Sequence, residues 1–112
     1  MGVRITCAAL GFVAALASCT EATKAVDEVA RRSAKAAVAE TLTTRSPLVP
    51  KAVVIPFTDC IIDNASSIEI GQFAKAAVVG GNDTTVALIS DILGRPATQQ
   101  CAGKASLAAL AG

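Results

Sequence analysis

The sequence contains no histidine, no tryptophan and no tyrosine, and only three phenylalanines. Without histidine, acid–base chemistry near neutral pH would rest on a carboxylate or a lysine retuned by its surroundings. There is no surplus of charge either: ten Lys and Arg stand against nine Asp and Glu, for a formal charge of +1. A nucleic-acid binder needs a basic face to neutralise phosphates, so this balance excludes that class. No block of like charges marks an interaction tail. Gly80–Gly81–Asn82–Asp83 lacks the Gly-Lys-Ser/Thr ending and the preceding strand of a phosphate loop, and reads as a turn between helices. No Cys-x-x-Cys redox motif occurs. Serines are present, but with no histidine and no local Ser-x-x-Lys they support no nucleophile.

What remains is a chain of 112 residues, enough for one domain. Its hydrophobic share is 53%, and alanine supplies much of it. Alanine favours helix and buries little area, so the core is thinner than the percentage suggests. The chain opens with one positive charge, Arg4, and then runs almost wholly apolar or small from Ile5 to Ala17. That is the pattern of a secretory leader. The run is shorter than the roughly 20 residues a membrane span requires, and Glu21, Lys24, Asp27 and Glu28 follow at once.

The apolar run ends Leu16–Ala17–Ser18–Cys19. This resembles the lipobox of bacterial lipoproteins: an aliphatic residue, two small residues, then cysteine. The resemblance covers the first 19 residues. It implies removal of a signal peptide (1–18), lipidation of Cys19 and a place in the cell envelope facing the periplasm. Thr20 stands where an aspartate is associated with inner-membrane retention in some bacteria, which favours the outer membrane. Acyl chains contribute about 0.8 kcal/mol per buried methylene, so a triacylated cysteine anchors without further help from the protein. Ala15–Leu16–Ala17 also fits a small-x-small cleavage site, which would release a secreted protein beginning at Ser18.

Cys7 leaves with the leader and Cys19 is taken by lipid, so Cys60 and Cys101 remain as an even pair. In an oxidising compartment this predicts a disulfide, with two free thiols or a poor two-ligand metal site as alternatives. A closed loop of about 40 residues corresponds to roughly 4 kcal/mol in the chain-entropy model.

Glu21 to about Thr43 reads as one helix without glycine or proline, acidic early and basic later, with a thin stripe of Val26, Val29/Ala30, Ser33 and Ala36/Ala37. Few large side chains are available to bury, which favours a solvated stalk over close packing. Residues 19–50 are thus read as lipidated N-terminus, helical stalk and a linker marked by Pro47 and Pro50. The second unit, 51–112, is expected to be a small helical domain. Ala52–Ile55 reads as an extended segment ending at Pro56. Thr58 is a candidate cap for a helix over Asp59–Asp63. Ser66 and Glu69 fit a capping box for a helix from about Ser67 to Val79, with Ile70, Phe73, Ala74 and Ala77 on one face. Gly80–Gly81 ends that helix, Asn82 or Asp83 caps the next to Leu93, and Pro96 opens a last helix to about Leu110. The expected fold class is all-α: signal helix, helical stalk and a disulfide-stapled bundle of short helices.

Asp59 and Asp63, four apart, present a carboxylate pair, read chiefly as helix-end and solvated groups rather than a cation site. Thr58–Asp59–Cys60–Ile61–Ile62–Asp63–Asn64–Ala65 is similar to a segment of short bacterial envelope proteins, some of them linked by description to succinate dehydrogenase. The resemblance covers roughly Phe57 to Cys101. The chain lacks a flavin-binding glycine motif, cluster-ligand cysteines, a haem-ligating histidine and membrane spans, so that activity does not carry over. No catalytic residue, metal or cofactor is expected. The reading is a lipid-anchored structural or protein-interaction module whose partners are the membrane and an envelope protein. The alternatives are a carrier with an apolar pocket lined by Ile61, Phe73, Ile89 and Leu93, and an accessory subunit of a respiratory complex.

Overall fold

The computed structural model describes residues 24–111 with their side chains; the expected leader (1–18) and Cys19 lie outside these described residues. The described residues are all-α. Among them five helices follow one another: α1 (Gly2–Arg45), α2 (Lys51–Asp63), α3 (Ser67–Val79), α4 (Asp83–Leu93) and α5 (Pro96–Ala111). Their mutual packing rests on a cluster that includes Ala34, Val38 and Leu42 of α1, Ile61 and Ile62 of α2, Ile70 and Phe73 of α3, and Ile89 and Ile92 of α4.

The second half of α1 is therefore not a solvated stalk. Ala34 and Val38 are wholly buried and Leu42 nearly so. These three recur every four residues, one stripe along a helix that continues the line of Val26 and Ala30. Ala37, also buried, keeps the surface low enough for α3 to approach closely. Among the described residues of α1, the stretch from Lys24 to Val29 is exposed throughout.

The proline segment is a tight corner rather than a linker between separate units. Val49 N–H donates to the Ser46 carbonyl at 3.0 Å, and Val53 N–H to the Pro50 carbonyl at 3.0 Å. The core accordingly begins at Ala34 and runs across the expected boundary at Lys51. After the corner α2 returns antiparallel to α1, as two ion pairs show: Arg31 with Asp63 at 3.0 Å and Lys35 with Asp59 at 2.9 Å.

Ala52–Ile55, expected to be extended, is the first turn of α2. Val53 and Val54 are buried and Ile55 is exposed, which is helical and not alternating placement. Packing here overrides the strand preference of β-branched residues. Pro56 lies inside α2 as its sixth residue, where it removes the backbone bond to the Ala52 carbonyl and the helix continues past it. Thr58 does not cap; inside the helix its Oγ1 donates to the Val54 carbonyl at 2.8 Å.

The later helices begin as the caps dictate. Ser66 Oγ accepts from Glu69 N–H at 3.2 Å while Ser66 N–H donates to Glu69 Oε1 at 2.8 Å, closing the capping box of α3. Ile70 and Phe73 are buried on α3 as expected, with Ala76 in place of Ala77. Gly80 ends the helix at φ +91°, a left-handed geometry that other residues resist. Asn82 Oδ1 then accepts from Thr85 N–H at 3.2 Å and starts α4. The disulfide Cys60–Cys101 joins α2 to α5 with 5.6 Å between the Cα atoms, stapling the bundle's last helix to its second.

Candidate interaction surface

The residues singled out for chemistry are accounted for by structure. Asp59 and Asp63 share a face of α2, and each is paired with its own cation on α1, so neither is free to form a carboxylate dyad. Among the described residues no group of three or more His, Cys, Asp or Glu side chains converges as a metal site would require. Gly80–Gly81–Asn82–Asp83 is the connection between α3 and α4; a side chain added at Gly81 would come within 3.1 Å of the Thr41 hydroxyl, so close approach to α1 explains glycine there. Ile61, Phe73 and Ile89, expected to line a ligand pocket, are buried against one another in the core, and Leu93 packs on the same cluster. They fill space rather than enclose it.

A polar corner escaped the sequence reading. Arg95, between α4 and α5, donates to Glu69 Oε1 at 2.9 Å and Oε2 at 2.6 Å, to Asp91 Oδ2 at 3.0 Å, and to the Asn64 carbonyl at the end of α2 at 2.8 Å. One guanidinium thus ties the ends of α2 and α4 to the start of α3, using the fork geometry that suits arginine to carboxylates. The Glu69 carboxyl is pulled down to about 2, first by the Arg95 hydrogen bonds and next by the Ser66 N–H; partial burial opposes the shift without cancelling it. Nothing in the sequence marks Arg95, because Glu69 and Asn64 lie 26 and 31 residues away.

Among the described residues the surface offers two larger concavities. One, of about 250 Å³, lies between α3 and α4 and mixes Lys75, Gln72 and Thr84 with Ala76 and Leu88. The other, about 440 Å³, is an open and almost wholly apolar groove, formed by Val26, Val29 and Ser33 of α1 and Ala74 and Val78 of α3. Val26, Val29 and Val78 are all more than half exposed. A groove of this composition can take an apolar side chain or helix face, and the Ser33 hydroxyl is the one polar side chain that lines it. Among the described residues no helix is long and apolar enough to cross a membrane. No family model matches the chain, and no curated protein or solved structure is detectably similar to it.

Proposed function

We propose that the chain is a lipid-anchored envelope protein, held at the periplasm-facing side of the membrane (the outer membrane favoured) through Cys19, with a structural or protein-interaction role and no catalysis. The observation that carries the reading is Leu16–Ala17–Ser18–Cys19 placed directly after a singly charged start and a short apolar run. Two further features support it. The two cysteines outside the leader and the anchor are paired with each other, which suits an oxidising compartment. The apolar groove of Val26, Val29 and Val78 begins seven residues along α1 from Cys19 and gives an envelope protein partner a surface near the anchor.

Intact-mass measurement of the protein isolated from its native envelope tests the anchor. The expected species begins at Cys19 and carries a diacylglycerol thioether and an amide-linked acyl chain. A chain beginning at an unmodified Ser18 would remove the anchor from the account. Crosslinking in the native membrane through a photoreactive residue at Val29 tests the partner surface: a discrete adduct is expected, and its absence there with the anchor intact would count against the groove.

A further inference from the structure

α5 is joined to the molecule unlike any other helix. The core cluster draws on α1, α2, α3 and α4 and includes no residue of α5. Along its 16 residues α5 buries one side chain, Thr98. That contact does not favour docking, because the Thr98 hydroxyl is buried without a hydrogen-bond partner, a polar atom removed from water with nothing in exchange. Leu107 and Leu110 face solvent, 75% and 67% exposed. Apart from a face of half-buried small residues, Ala102, Ala105, Ser106 and Ala109, laid along α2, two specific attachments hold it: the Arg95 corner immediately before the helix, and the Cys60–Cys101 bond in its second turn.

We propose that Cys60–Cys101 is a reducible clasp, and that its reduction by a dithiol frees α5 as a strap pivoting at Arg95 while α1–α4 stay folded. Cys101 is half-buried and Cys60 almost completely buried, so an incoming thiolate meets the Cys101 sulfur first. It bonds to that sulfur, the Cys60–Cys101 bond breaks, and the Cys60 sulfur leaves as a thiolate that takes up a proton. The second thiolate of the reductant then attacks its own sulfur in the mixed disulfide, closes the reductant's disulfide and releases Cys101, which is protonated in turn. Two electrons and two protons pass from the dithiol to the protein. Departure of α5, which lies chiefly along α2, uncovers the α2 flank around Cys60. The proposal does not depend on the lipid anchor.

Amide hydrogen exchange read by mass spectrometry on the full chain decides it, with dithiothreitol as the probe dithiol and a Cys60→Ala/Cys101→Ala variant to represent complete reduction. Once the bond is gone, amides over 97–111 are expected to lose at least roughly a hundredfold more protection than those over 34–42, 67–79 and 83–93, which give up no more than the fall in global stability and stay folded. Unchanged exchange in α5 would overturn the proposal, since packing alone would then hold the helix. Loss of protection throughout, in reduced protein or in the double variant, would overturn it equally, since the bond would then be holding up the whole core.

Discussion

α3 and α5 are neighbours in length and opposites in attachment. α3 inserts Ile70, Phe73 and Ala76 among three other helices, so its position follows from the shapes of the side chains it meets. α5 fully buries Thr98 alone, lays a half-buried face of small residues along α2, and is fastened there by a covalent bond and by an arginine just outside its first turn. The difference shows how a small domain divides the labour of burial. An alanine-rich helix removes little area from water, and where its neighbours are already satisfied a cross-link substitutes for a core it does not own.

Replacing the centre of the packed helix should do most damage. Phe73 is fully buried, so Phe73→Ala should cost about 3–5 kcal/mol and melt all helices together; a loss below about 1 kcal/mol, followed by circular dichroism in denaturant, would mean that α3 is not held by interlock. Cys101→Ser comes next. It returns conformational freedom to the unfolded loop of α3 and α4, and stability should fall by roughly 2–4 kcal/mol, with the excess loss of amide protection in α5. An unchanged melting temperature would deny the staple any role in either place.

The corner at Arg95 touches both helices and has a pH signature. The Glu69 carboxyl sits at about 2 in the folded protein, below its ordinary 4.5. A lowered acid contributes stability that is complete above the unfolded value and is lost as pH falls through the folded one, here between about 4.5 and 2. Because Arg95 is partly open to solvent, that contribution is about 1 kcal/mol. Glu69→Gln should flatten the stability profile in this window and leave it unchanged in slope near neutrality; an identical acid limb in both proteins would sever the corner from stability. The smallest effect belongs to the outer face of α5. Leu107→Ala should change unfolding free energy by less than about 0.5 kcal/mol, whereas Ile70→Ala in α3 should cost about 2–5 kcal/mol. Equal effects would erase the contrast between the two helices.

The contrast was only half legible in the sequence. Caps are local chemistry, and Ser66 with Glu69, the Gly80 stop and the Asn82 start are where the residues say they are. The cysteine pairing followed from counting. Features set by distant partners did not. Ala34, Val38 and Leu42 look too small or too sparse for a core until α3 lies on them, and Val53–Val54 reads as strand until α2 is seen to bury both. Arg95 gives no sign of itself because its partners enter from three other helices or their ends. The groove shares this limit: Val26 and Val29 stand on the expected stripe, but Ala74 and Val78 reach them only through the fold.

The two ion pairs between α1 and α2 act as a vernier. Each is exposed and adds little to stability, on the order of 0–1 kcal/mol. Their worth lies in what a slip would cost. Sliding α1 by one turn in one direction sets Asp27 beside Asp63 and leaves Lys35 facing Ile55; sliding it the other way strands Arg31 and puts Ala39 opposite Asp59. Neither notch is as good as the one observed. The projecting end of α1, with Val26 and Val29, is thereby held at one fixed height above the bundle, a mast stepped by two rungs of opposite charge.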